Sequence, residues 1–459
     1  MTRAPNEKTS LLIGCAAGFS GDRTDAAQPI VQELVRQNKP AFLIFETLAE
    51  RTLALAQLAR RQDPDAGYEP LMVEFLQPVL ADCLAHGIRI VSNFGGANPQ
   101  GAARAIAALA GELGTRVPRI AVVHGDDLSG HEHCQLLETA LGQDMPNQQR
   151  VSANAYIGAR PIAEALRAGA DIVVCGRVSD PSLVVGPAMA HFDWAWDDWD
   201  RLARATMTGH LLECGTQVSG GYFADPGYKD VPDMERLGYP IAEIDSTGNS
   251  TIFKPSLTGG CITAATVKEQ LLYEIHDPAC YLTPDVVADI TQAEVIPVGP
   301  DRVRLEGVIG HPRPEQLKVN VCFESGWFAE GEISYAGPRA AERARLAART
   351  ISRRLAEIAP LRTDLIGVTS VWGNDSSDWL TDASTSNAAR DVRLRMAWQH
   401  SDRAVAARLP REITALYCCG PAGGGGVRTQ MRLRLGMVSC LVPQQQVKTG
   451  FRWASPHQD

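Results

Sequence analysis

The sequence predicts an α/β protein: a largely parallel, doubly wound (Rossmann-like) sheet first, then an α+β half with a mixed sheet. Three observations carry this. Up to about residue 210, short apolar runs alternate with stretches of helical periodicity. Four of those runs end in Gly-bearing loops ("GCAAG", "NFGGANP", "HGDD" and "CGRVSD"), at the strand ends where ligands gather in a parallel sheet. Beyond that point the texture changes to Gly-rich turns and scattered strand-like pieces around one long helix.

The first run, "LLIG", leads through "GCAAGFSGDR" to a helix from about Thr24 to Gln37. "AFLIFETL" precedes a helical stretch around Ala49 to Arg61, and "IRIVSNFGG" precedes "PQGAARAIAALAGEL", whose apolar residues recur at helical spacing. "RIAVVHGDD", a helix from about His133, "SANAYIG" and "PIAEALRAGADIVVCGRVSD" complete the series. "DWAWDDWDRLARATMTGHLLECG" reads as one amphipathic helix with a Trp-rich start, fit for an aromatic cluster or an oligomer contact. In the second half "STIFKP", "DRVRLEGVIG", "KVNVCFESGWFAEGEISYAG", "DLIGVTSVWG" and "REITALYCCG" read as strands, with a helix from Arg339 to Ile358 between them. The expected domains are 1–215, parallel α/β, and 216–459, α+β, the second lending Gly-rich loops at 258–260 and 420–426 to the site.

Composition narrows the function. The 459 residues carry a formal net charge of −9, 45% hydrophobic and 21% charged residues, and no basic run suited to nucleic acid. No apolar stretch is long enough to span a bilayer, and the polar lead "MTRAPNEKTS" is not a signal peptide. Eleven cysteines without a CxxC pair suit a reduced, cytoplasmic protein.

The strand-end loops supply the candidate site. In "GCAAGFSGDR", Gly18 and Gly21 permit close backbone approach, Asp22 can cap a helix or transfer a proton, and Arg23 can clamp a carboxylate or phosphate. The spacing is neither GxGxxG nor a P-loop, so no nucleotide fingerprint is present. Glu46 and Glu50 in "ETLAER" share one helical face and suit a general base or a surface ion pair. Gly95, Gly96 and Asn98 of "NFGGANP", and Gly259 and Gly260 of "TGG", offer amides for an oxyanion or simple turns. "HGDDLSGHEHC" is dense in metal-ligand types, but no second cluster completes a site, so no metal is expected and Asp126 is its residue of interest. "CGRVSD" offers a thiol beside Arg177, or an Arg177–Asp180 pair. His210 and Glu213 lie three apart on one helix face, a proton-transfer couple or a C-terminal His on the helix dipole. Gly423, Gly424 and Gly425 form a loop whose entropic cost suggests ligand contact.

Taken together, "GCAAGFSGDR", "NFGGANP", "GDD", "CGRVSDPSLVVGP", "DWDRLA", "GHLLECGTQVSGGYF", "KPSLTGGCITAATVKEQLLYEIHDPACYLTPDVV" and "LYCCGPAGGGGVR" resemble the acyclic terpene utilization (AtuA) family, from residue 14 to about 428. The resemblance implies a place in the breakdown of citronellol- and geraniol-type terpenes through CoA thioesters. Many members carry a small ferredoxin-like domain after the main body; little room for it remains here, which suggests a separate small subunit.

The reading that follows is an enzyme acting on a branched or terpenoid carboxylic acid or its CoA thioester by acid–base chemistry, a hydratase or dehydratase. Asp22, Glu46, Asp126, His210 and Glu213 would move protons. Gly18, Gly21, Arg23, Gly95, Gly96, Asn98, Arg177, Gly259, Gly260 and Gly423 to Gly425 would bind the substrate. No cofactor is evident, and a homo-oligomer is expected. Two other readings stand beside it: CoA- or ATP-dependent acyl activation, and a non-catalytic substrate-binding or assembly subunit.

Overall fold

Five short apolar runs form the parallel heart of a large sheet. The computed structural model of the chain describes residues 10–145, 147–356, 361–376 and 390–454. Its first eight strands are β1 (Leu11–Cys15), β2 (Ala41–Phe45), β3 (Arg89–Ser92), β4 (Ile120–His124), β5 (Arg150–Ala155), β6 (Ile172–Val174), β7 (Ile241–Ile244) and β8 (Ser250–Phe253). Parallel pairing runs β1-β2-β3-β6-β4. On the far side of β1 the sheet continues antiparallel through β7, β8, Arg302–Glu306 and Glu294–Gly299. Gly450–Trp453 pairs antiparallel with β4, and the whole is a ten-stranded mixed sheet.

The continuous apolar runs follow from burial of both sheet faces. Leu11, Ile13 and Cys15 pack into one core and Leu12 into the other; Phe42 and Ile44 likewise oppose Leu43 and Phe45. Helices supply both cores. Ile30, Val31 and Leu34 of Ala27–Gln37 and Ile106 of Pro99–Glu112 join one. Ile162, Leu183 and Leu211, from Arg160–Arg167, Ser182–Phe192 and Trp199–Glu213, join the other.

The chain divides into a larger unit, residues 1–145, 150–322 and 438–459, and a smaller one, 146–149 and 323–437. The expected boundary at 215 falls inside the larger unit, because β7, β8 and Gly450–Trp453 complete the N-terminal sheet from far along the chain. In the smaller unit Arg362–Ile366, Asp391–His400 and parts of Gln316–Ala336 and Gly424–Pro443 form a sheet in that order. Helices Ala340–Arg354 and Arg408–Cys419 share its core with Ile333, Leu394 and Met396.

Three local expectations need correction. "REITALYCC" lies in the helix Arg408–Cys419, whose buried residues Leu409, Ile413 and Leu416 recur at helical rather than alternating spacing. "SANAYIG" does form strand β5, but β5 pairs with Gln316–Ala336 rather than in the large sheet. The Trp-rich stretch is not helical throughout: the preceding helix ends at Phe192 with Asp193 in the left-handed region (φ 62°), and the next begins at Trp199. Trp194 is buried and stacks on Phe192 at 5.1 Å, the aromatic-cluster role. The polar lead before Ser10 and the last residues of the helix expected to reach Ile358 lie outside the described residues. Among the described residues no helix is long and apolar enough to cross a membrane.

Candidate active site

The carboxyl ends of β1, β2 and β6 open on one cavity of about 1400 Å³. Gly18, Phe19, Ser20 and Asp22 follow β1, Glu46 to Glu50 follow β2, and Arg177 and Asp180 follow β6. The end of helix Trp199–Glu213, Tyr156, Glu274, Tyr281 and Lys318 complete the wall, all within the larger unit. A parallel sheet exposes its strand-end loops there, so the placement follows from topology.

Arg177 organises the floor. Its guanidinium is buried, donates from Nε to the Val178 carbonyl (2.8 Å), and reaches the Leu48 carbonyl and the Asp180 carboxylate through its other two nitrogens. The Tyr156 ring lies 4.6 Å beneath it. Asp126 Oδ2 accepts from the Arg177 backbone N–H (2.8 Å) and from Asn154 Nδ2 (3.2 Å). Burial pushes the Asp126 carboxyl up to about 6. Asp126 thus holds the loop that carries Arg177 and is not part of the cavity wall.

The carboxyl groups around this floor are of two kinds. Burial first, then the charge of Asp180, pushes Glu46 up to about 8, although its Oε1 accepts from the Leu48 N–H and Asn93 Nδ2, both at 2.8 Å. Glu50 goes the other way. Burial raises it, but the Tyr156 hydroxyl, Lys318 and Arg177 outweigh burial and hold it below the ordinary carboxylate range. Asn320 Nδ2 (3.1 Å) and Lys318 Nζ (3.5 Å) also reach Glu50 Oε1, and Ser439 Oγ fixes Asn320 by donating to its Oδ1 (2.7 Å). At neutral pH the wall therefore holds one protonated and one ionised carboxyl group four residues apart.

Glu213 is a third case. Burial, then the charges of Asp180 and Glu274, raise it well above the ordinary range. Its Oε1 lies 3.1 Å from His210 Nδ1, and burial, which lowers His210 to about 4, disfavours the charged form of both partners. Glu213 Oε2 and His210 Nε2 are buried without a partner among the described residues. Glu213 lines the cavity and His210 sits behind it.

Of the residues singled out in the sequence, Gly18, Asp22, Glu46, Arg177 and Glu213 meet at this cavity. Asp22 braces its loop, accepting at Oδ2 from the Gly18 N–H (2.8 Å) and at Oδ1 from the Tyr239 hydroxyl. Gly18 is required sterically, since a Cβ there would lie 2.5 Å from the Cys214 carbonyl carbon. The others lie elsewhere. Arg23 is exposed, off the wall, and donates to the Glu235 carbonyl (3.2 Å), while Gly21 makes the exposed turn beside it (φ 91°). Asn98 caps helix Pro99–Glu112 through the Gly101 N–H (3.0 Å) and donates to the Pro64 and Ala66 carbonyls. Gly95 and Gly96 make the buried turn before it, and Gly259 and Gly260 pack on the backbone of Asp233 and Ser219. Gly423, Gly424 and Gly425 belong to the smaller unit, where they lead into the strand Gly424–Pro443. Among the described residues no group of three His, Cys, Asp or Glu side chains is arranged to hold a metal, and His131 and Glu132 of the "HGDDLSGHEHC" stretch are exposed.

Tyr156 and Lys318 are site residues that no motif pointed to, while Glu50 and Asp180 stood in their motifs without being assigned to the site. The expected shared helical face of Glu46 and Glu50 needs correction: Glu46 lies in the loop after β2, Ala49 is extended and the helix begins only at Glu50, so the loop rather than helical spacing brings both to the cavity. Lys318 stands far along the chain in a strand with no motif of its own.

A mixed α/β protein with a carboxyl-rich cavity at the strand ends is the class that fold and site define. The chain belongs to the acyclic terpene utilisation family: the family model, Acyclic terpene utilisation family protein AtuA, matches residues 11–453. No curated protein matches it significantly.

Proposed function

We propose that the protein is a lyase of the hydratase or dehydratase type, acting on a branched or terpenoid carboxylic acid carried as its CoA thioester. Membership of the family supports a role in acyclic terpene catabolism. The observation that carries the chemistry is the pair Glu46 and Glu50, whose surroundings drive their acidities apart on one cavity wall. Such a split is how an active site holds an acid and a base at the same pH. In the hydration direction, ionised Glu50 takes a proton from water as its oxygen bonds to the β-carbon of the unsaturated thioester. Protonated Glu46 gives its proton to the α-carbon, and the carbon–carbon double bond becomes single. Dehydration is the reverse. The buried charge of Arg177 stabilises the enolate oxygen that develops between the two proton transfers.

The rest of the wall suits this substrate. Phe19, Leu48, Tyr281, Leu282 and Leu441 offer apolar surface to a branched hydrocarbon. A floor with several carboxyl groups favours an uncharged thioester over a free carboxylate.

The test is hydration of α,β-unsaturated branched acyl-CoA by wild type, Glu46→Gln and Glu50→Gln, with binding measured separately. Each variant should lose about 10²- to 10⁴-fold in kcat with binding retained. Wild-type turnover should fall as pH rises through about 8, where Glu46 gives up its proton. Full activity in both variants, or no turnover of any thioester by wild type, would refute the assignment.

A further inference from the structure

A second cavity of about 340 Å³ is lined by Gly158, Arg160, Asp285, Arg313, Gln444 and Thr449 among others. Pro314, Glu315, Leu317 and Gln445 line both it and the larger cavity, so the two share a wall. The main cavity alone exceeds the roughly 300–1,000 Å³ usual for a small-ligand site. A branched acyl group fills only part of such a space, which calls for a long ligand.

The side cavity differs in charge from the main one. Its half-buried carboxylate, Asp285, is already engaged: it accepts from the Ala159 N–H at 2.8 and 3.0 Å and from Ser182 Oγ at 2.7 Å. Arg160 is tied to Glu164 (2.9 Å) and lies over the Trp196 ring at 5.0 Å. Arg313 is exposed and makes no ion pair among the described residues. The cavity thus presents the Arg313 guanidinium, which is in no ion pair among the described residues although its charge acts on Asp285, together with Arg160, Gln445 and Gln444, whose Nε2 donates to the Pro284 carbonyl (3.3 Å). Glu315, exposed and on the shared wall, is the other carboxylate among the described lining residues.

We propose that this side cavity binds the phosphorylated end of the thioester carrier, with Arg313 as its anion-binding residue. The acyl group then lies over Glu46 and Glu50, and the carrier's arm crosses the wall the cavities share. A planar guanidinium matches phosphate geometry in a fork. The proposal rests on the thioester reading for its ligand but is read out by binding, independently of turnover.

Free coenzyme A, pantetheine and inorganic phosphate are the probes, titrated calorimetrically into full-length wild type and Arg313→Ala. Arg313 is exposed, so the variant should fold as wild type does. Coenzyme A should bind wild type at least about tenfold more tightly than the variant, and pantetheine should bind the two equally. Equal coenzyme A affinity in both proteins, or no coenzyme A binding by wild type, overturns the proposal. Binding of inorganic phosphate with the same loss in the variant, but no preference for coenzyme A, overturns the carrier assignment and leaves a plain phosphate site. If Arg313→Ala weakens coenzyme A while Glu46→Gln leaves turnover unchanged, the subsite stands and the acid–base assignment falls. In kinetics, Arg313→Ala should raise KM for an acyl-CoA and leave KM for the matching acyl-pantetheine unchanged.

Discussion

Arg177 shows how one side chain sets the behaviour of its neighbours. It is the buried cation among Glu46, Asp180 and Glu213, and its charge pulls the pKa of all three down against the upward push of burial. Arg177→Met should therefore cost about 3–5 kcal/mol, the usual penalty for leaving buried charge uncompensated. Arg177→Lys should recover little, because one ammonium cannot reach Leu48, Val178 and Asp180 together. Denaturant midpoints at constant m-value measure both, and a Met variant as stable as wild type would contradict this role. From "CGRVSD" alone both readings were open, with the packed thiol and structural Arg177–Asp180 pair favoured over a reactive thiol. Burial decides, since Cys175 is enclosed and its thiol is pushed far above the reactive range. The contrast between Glu46 and Glu50 was beyond reach of the motif, because Tyr156 and Asn320, which hold Glu50, lie 106 and 270 positions away.

At the scale of elements, the alternation of apolar runs with helical periodicity identified the strands and helices of the first half well. What the loops between them do was less legible. Glycine in a turn looks the same in sequence whether its amides face a ligand or the turn's own packing. "NFGGANP" is of the second kind: Asn98 spends its side chain on a helix cap and two carbonyls, and Asn93, at the start of the loop, supports Glu46. Asn98→Ala should accordingly cost about 1–2 kcal/mol in thermal unfolding, while kcat per folded molecule stays within about twofold of wild type. A drop in kcat of the size expected for a lost oxyanion donor, about 10²-fold or more, would restore the loop to the catalytic site. "ITALYCC" misled for another reason: a short apolar run fits a strand or a buried helix, and only Leu409, upstream of it, reveals the helical spacing.

For the molecule as a whole, the division into units escaped the sequence because the large sheet recruits its last strands from residues 241 to 453, across a long excursion. The same sheet creates the dry floor on which Glu46 keeps its proton, and that has a cost for the folded state. Glu46 titrates at about 8 when folded and at an ordinary 4.5 when unfolded, so between those values the folded state binds the extra proton. Its contribution to stability is full below 4.5 and is lost as pH rises toward 8. Asp126 acts in the same sense only from 3.8 to about 6. His210 acts in the opposite sense: buried neutral down to about 4 against an ordinary 6.5, it penalises the fold as pH falls through that interval. From 4.5 to 6.5 the terms oppose one another, but from 6.5 to 8 Glu46 still draws stability down while Asp126 and His210 have finished titrating. Wild-type unfolding free energy should therefore fall across pH 6.5 to 8, with a slope from Glu46 approaching about 1.4 kcal/mol per pH unit. Glu46→Gln, which keeps the Asn93 contact in shape and carries no titrating proton, should flatten that slope while removing turnover. A wild-type slope over this range that the substitution leaves unchanged would mean that Glu46 is ionised in the folded protein, and the acid in the proposed mechanism would have to be Glu213.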